Sequence, residues 1–121
     1  MTNQMQGEIL FQGWSGTTAA DWAYTPWMPV RGDYATFGIE VVAIAGGATL
    51  EWEVETRTAE NGPADQIFSS VQSRNAVGVG QHRNDFVCKQ MVRYRFRVPG
   101  TASTSSYVIF RALAPSWQAD R

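Results

Sequence analysis

Leu50-Glu51-Trp52-Glu53-Val54-Glu55-Thr56-Arg57 places Leu50, Trp52, Val54 and Thr56 on one face of an extended chain and Glu51, Glu53, Glu55 and Arg57 on the other. Successive side chains of a strand point to opposite faces, so this period-two pattern predicts a strand with one apolar and one charged surface. A later stretch, Met91-Val92-Arg93-Tyr94-Arg95-Phe96-Arg97-Val98, repeats the pattern with arginine where the first has glutamate. Two such strands relieve their self-repulsion by lying side by side, carboxylates opposite guanidiniums. Glu51, Glu53 and Glu55 are therefore expected beside Arg93, Arg95 and Arg97. On a solvated face each pair would contribute only about 0.2–1 kcal/mol. The larger effect is on register, because a slip of one residue would bury the charges and expose Trp52 and Phe96. The same arginines are also candidates for contact with another subunit, where bidentate pairing is favoured.

Outward from these strands, the pattern stays β. Asp33 to Ala45 alternates Phe37, Ile39, Val41 and Ala43 onto one face, and Gly46-Gly47 after it is a hairpin signal because both residues tolerate positive φ. Glu8 to Gln12, Ile67 to Val71, Asp85 to Lys89 and Tyr107 to Ala114 read as further strands. Gly13 to Gly32 reads as a long loop or edge segment, since Pro26 and Pro29 exclude a central strand. Asn61-Gly62-Pro63 is a breaker cluster, and Gln72 to Asp85 reads as an irregular loop or weak edge strand. Residues 1–6 form a polar arm and 115–121 a tail. The expected architecture is all-β, a single domain over residues 1–121: an antiparallel, jelly-roll-like β-sandwich of seven or eight short strands, with a small β-barrel as the alternative.

Composition narrows the function. Hydrophobic residues make up 44% and charged residues 17%, a balance that favours a packed core over disorder. With a formal charge of −1, no general field recruits nucleic acid or an anionic membrane surface. No run approaches the ~20 apolar residues of a membrane span. A lone Cys88 cannot close an intrachain disulfide, which favours folding in a reducing compartment.

Catalytic constellations are weak. Glu51, Glu53 and Glu55 have a spacing that glycoside hydrolysis tolerates, but three arginines are available to neutralise them. His82, Asp85 and Cys88 lie close in sequence without a surrounding motif. Arg31-Gly32-Asp33, the integrin-binding tripeptide, stands where a turn is expected, and Gly78-Val79-Gly80 lacks the strand-to-helix setting of a phosphate loop. No enzyme activity, cofactor or metal site is expected. Aromatic residues are more informative: Trp52 alternates with core positions, whereas Trp14, Trp22, Trp27 and Trp117 fall in loops or the tail. There they are candidates for subunit contacts or for stacking on sugars, unless the long loop folds back and plugs one end of the sandwich.

Trp27-Met28-Pro29-Val30-Arg31-Gly32-Asp33, the runs around Leu50-Glu51-Trp52-Glu53-Val54 and Val92-Arg93-Tyr94-Arg95-Phe96, and a closing hydrophobic strand together resemble, in layout, small β-sandwich structural proteins of tailed-bacteriophage virions. That resemblance covers residues 22–114. It implies a non-enzymatic capsid decoration (cement) protein, or a minor head or tail component. Its partners would be other virion proteins, the major capsid protein above all, with no nucleic acid and no membrane. It would be a homo-oligomer, a trimer by preference, assembled in the host cytoplasm and residing in the virion. The competing class is a carbohydrate-binding module that uses the loop tryptophans. Two or more exposed tryptophans on one flat face or groove would favour the module, and exposed tryptophans scattered along arms would favour assembly.

Overall fold

The computed structural model describes residues 10–14, 22–58, 62–99 and 106–118. Among them, ten strands form two antiparallel sheets and there is no helix. One sheet runs β1 (Leu10–Trp14), β10 (Tyr107–Gln118), β4 (Tyr34–Ala45), β8 (Gly78–Arg83). The other runs β2 (Ala23–Tyr24), β9 (Met91–Arg97), β5 (Leu50–Arg57), β6 (Asp65–Gln66), with β3 (Met28–Pro29) also on β9 and β7 (Gln72–Arg74) on β5. The fold is a β-sandwich, and the sheets do not close into a barrel. The ten strands exceed the seven or eight expected because β2, β3 and β6 are two-residue and β7 three-residue edge pieces with no periodic signature.

The core fills the space between the sheets as the alternation demands. Phe37, Ile39 and Val41 of β4 and Val108 and Phe110 of β10 face Leu50, Trp52 and Val54 of β5 and Val92, Tyr94 and Phe96 of β9, all buried. Phe96 meets Phe110 across the gap at 4.7 Å between ring centroids, and Phe37 meets Tyr94 edge-on at 5.9 Å. The expected phase of β4 fails at one point. A bulge opposite Ile109 and Phe110 inserts Val42, which is exposed, so Ile44 rather than Ala43 packs against the core.

Gly46 and Gly47 do form a tight turn, with φ of 70° and 73°, but not a hairpin. β4 and β5 lie in different sheets, so the turn is a crossover. Turn chemistry sets the backbone of two residues, whereas strand pairing is decided by partners, and the glutamates of β5 find the arginines of β9. Ile67 to Val71 is not a strand either. Ile67 and Phe68 are both buried, so the run cannot alternate, and the Ile67 carbonyl accepts the N–H groups of Asp85 at 2.8 Å and Phe86 at 3.1 Å. Asp85 to Lys89 is likewise a loop, organised by the buried Asn84. The Asn84 Oδ1 accepts the Ala35 N–H at 2.8 Å, while its Nδ2 donates to the carbonyls of Phe86 at 2.7 Å and Asp33 at 3.1 Å.

Residues 115–118, expected in a tail, belong to β10. Ser116, Trp117 and Gln118 pair with Thr36, Ala35 and Tyr34, and the register shifts between Leu113 and Ser116. That bulge accommodates Pro115, which has no N–H to offer a ladder. Beside it the Tyr94 hydroxyl enters the β4–β10 ladder, accepting the Gly38 N–H at 2.9 Å and donating to the Leu113 carbonyl at 2.8 Å. A core side chain of one sheet thus bridges two backbones of the other. Burial pushes the Tyr94 phenol well above its ordinary pKa, so it stays a donor. Tyr94→Phe leaves a buried donor and a buried acceptor without their partner and should cost about 1–3 kcal/mol. Chemical denaturation would show this as a lower midpoint at unchanged m-value.

Candidate functional site

The expected charge ladder is present, and its strands run antiparallel. Glu51, Glu53 and Glu55 stand opposite Arg97, Arg95 and Arg93. Arg97 Nε lies 2.7 Å from Glu51 Oε1, Arg95 Nε 2.9 Å from Glu53 Oε1 and Arg93 Nε 3.0 Å from Glu55 Oε1. Arg95 also contacts Glu53 through a second nitrogen and reaches Glu55 at 3.6 Å, linking adjacent rungs. With every carboxylate of the row held by a guanidinium, the acid and base of a glycosidase are missing here.

The ladder is not, however, the solvated face expected. Glu53 is 1% exposed and Glu55 8%. The cover comes from the segment between Trp22 and Trp27, which docks as an edge on β9: Ala23 pairs with Phe96 and Tyr24 with Arg95. Its aromatic rings lie on the guanidiniums. The Trp22 ring sits 4.0 Å from Arg95 and 4.3 Å from Arg97, the Tyr24 ring 3.9 Å from Arg93, and the Trp27 ring 4.4 Å from both Arg93 and Arg57. Such contacts strengthen as water is excluded. The described part of the long loop therefore roofs the outer face of its sheet with Trp22, Tyr24 and Trp27, while Met28 and Val30 pack against the core. Tyr24, absent from the expected set, belongs to this roof, and its place two residues from Trp22, on the same face of an extended chain, was the available hint.

Where the roof ends a cleft begins. It lies between Thr25–Pro29 on one side and Ala112–Trp117 of β10 on the other, with a volume of about 370 Å³. That falls near the lower end of the ~300–1,000 Å³ usual for small-molecule sites. Trp27 and Trp117 both line it, with Pro26, Pro29 and Pro115 as stiff walls and Arg31 at the side. Trp117 is fixed by an edge-on contact with Phe37 at 5.9 Å. Thr25 is committed to structure, its hydroxyl accepting the Tyr94 N–H at 3.0 Å and donating to the Pro26 carbonyl at 3.1 Å. Of the candidate tryptophans, the structure brings Trp22 and Trp27 onto one face and Trp27 and Trp117 into one cleft. Trp14 closes β1 opposite Tyr107, and its side chain lies outside the described residues. Sequence reasoning does not place the prolines and Arg31 in a site: Pro26 and Pro29 read as strand breakers, Pro115 falls in the expected tail, and Arg31 stands only in the tripeptide and in the stretch that carries the resemblance.

The remaining constellations are structural. His82 Nε2 lies 3.0 Å from Asp85 Oδ2, and the same oxygen accepts the Ser69 N–H at 2.8 Å and the Ser69 hydroxyl at 3.2 Å. Serine and histidine thus share one carboxylate, and no hydrogen bond joins them to each other. The His82 hydrogen bond and the Ser69 N–H hold the Asp85 carboxyl below its ordinary pKa. Cys88 is buried, and desolvation with the charge of Asp33 pushes its thiol up to about 11, the reverse of an activated nucleophile. No group of three or more potential metal ligands occurs among the described residues.

Because Glu53 is buried with its partner, the ladder should show a strong asymmetry between single and paired replacement. Arg95→Met alone strands the Glu53 carboxylate and should cost about 3 kcal/mol. Adding Glu53→Met should recover much of that loss. A double-mutant cycle in urea measures the difference, and an additive result would mean that the two side chains act independently.

No family model and no curated protein matches the chain. Among solved structures, one described as "CBM4 structure and function" superposes with a TM-score of 0.57 at 14% sequence identity, over 85% of this chain and 64% of that one. The chain spans less than two thirds of that structure's length. The likeness bears on the fold, and it agrees with the two-sheet sandwich described here.

Proposed function

We propose that the protein is a non-catalytic saccharide-binding module whose ligand lies in the cleft between the Thr25–Arg31 segment and the end of β10. The observation that carries this is the convergence of Trp27 and Trp117, from opposite ends of the chain, on one open cleft with three prolines in its walls. Indole rings offer flat apolar surface to the C–H faces of a pyranose, and rigid walls lower the entropy lost on binding. The likeness in fold to a structure titled as a CBM4, a carbohydrate-binding module, supports the same role. The grouping of tryptophans in one groove, rather than along arms, favours it over assembly as the use of these residues.

Isothermal titration with neutral and acidic oligosaccharides tests the proposal. A ligand should be found, and Trp27→Ala and Trp117→Ala should each weaken it by about tenfold or more, since burial of an aromatic side chain contributes about 1.5–3 kcal/mol. Thermal unfolding of both variants separates lost binding from lost structure. Absence of binding by the folded wild-type chain across the panel would sink the idea.

Assembly with other protein subunits, as in a virion structural component, is a second reading and would use a different surface. Consecutive residues Phe86 and Val87, 56% and 50% exposed, present large apolar side chains on the loop before β9, and exposed apolar surface of that kind marks protein contacts. Light scattering on the purified chain should then show a trimer or larger assembly that Phe86→Ser disperses, whereas a monomer at high concentration would count against it.

A further inference from the structure

We infer that the cleft is built for an acidic saccharide, one carrying a uronate carboxylate, with Arg31 as the residue that recognises the charge. The inference rests on saccharide binding at that cleft and adds its chemical class.

Arg31 differs from the other described arginines in having no partner among the described residues. Arg93, Arg95 and Arg97 are held in the ladder, Arg111 pairs with Glu40 at 2.9 Å, and Arg74 donates to the Val77 carbonyl at 3.1 Å. Arg83 donates to Gln118 Oε1 at 3.1 Å, and Arg57 lies on the Trp27 ring. The protein thus engages each of these guanidiniums and leaves the exposed Arg31 at the wall of its aromatic cleft.

The backbone carrying Arg31 is anchored on both sides. Val30, packed against the core, donates its N–H to the Gln90 carbonyl at 3.0 Å. Gly32 is pressed against the end of β10 so closely that a Cβ there would stand 2.3 Å from the Gln118 carbonyl oxygen. The neighbouring Asp33 makes no ion pair with Arg31 and is not part of the cleft lining, and its charge acts on the Cys88 thiol. None of the residues lining the cleft is acidic. The cleft therefore joins two aromatic walls to one unpaired arginine on an anchored backbone, with no carboxylate in its lining, which complements a sugar ring bearing a carboxylate. A guanidinium takes a carboxylate through two parallel N–H···O bonds and gains more from it than from neutral hydroxyls.

The test uses the full chain with trisaccharides of galacturonate, glucuronate and mannuronate, each as the free acid and as its methyl ester, which keeps ring and linkage but removes the charge. At least one acid should bind roughly ten- to a hundredfold more tightly than its ester. Arg31→Gln should close that gap by weakening the acid far more than the ester, Arg31→Lys should restore part of it, and raising salt should weaken the acid more than the ester. An ester that binds as tightly as its acid, or an acid indifferent to Arg31→Gln, overturns the inference while saccharide binding stands. If neither acids, esters nor neutral sugars bind, the saccharide function itself falls and the inference with it.

Discussion

Contact between Arg95 and Glu53 is the constraint on which most of this sandwich depends. It lies at the middle of a three-rung ladder between β5 and β9, sets the register that turns Trp52 and Phe96 inward, and presents a row of flat cations on the sheet's outer surface. That row is what the Trp22–Trp27 segment docks against, and the docked segment supplies one wall of the cleft. Taking the charges out of water is unfavourable by itself. It is offset by the paired hydrogen bonds below the guanidiniums and the aromatic faces above them, so ladder and roof stabilise one another.

Legibility followed periodicity. β5 and β9 could be read, as could the meeting of the glutamate row with the arginine row, because alternation and complementary charge point to the same strand pairing. The burial of those pairs could not be read. The roof is made by a segment that prolines break into two-residue strands, and nothing in its residue order says which sheet it will cover. At Gly46-Gly47 the turn was visible and its destination was not, since positive φ is a local property and sheet membership is not.

Between Ile67 and Gln90 the difficulty was of another kind. There β7 and β8 pair with β5 and β4, but the loop after β8 is shaped by the Asn84 side chain, which reaches Ala35 and Asp33, and by Thr56, which receives the Lys89 N–H at 2.8 Å while its hydroxyl donates to the Met91 carbonyl at 2.8 Å. Loops held by individual polar side chains reaching far along the chain leave no pattern to detect. The cleft suffered from both problems at once. Trp27 and Trp117 meet only because β10 carries on through Pro115, and a proline ordinarily argues that a strand has ended.

The Tyr94 hydroxyl, wedged between Gly38 and Leu113 beside the Pro115 bulge, has a consequence for kinetics. It pins the β10 wall of the cleft to the core of the opposite sheet, so that wall cannot swing outward without breaking buried hydrogen bonds in both layers. A ligand arriving there meets a surface already in its final shape. Association at such a site is governed by encounter and desolvation rather than by a slow opening step, and affinity is tuned through the lifetime of the complex.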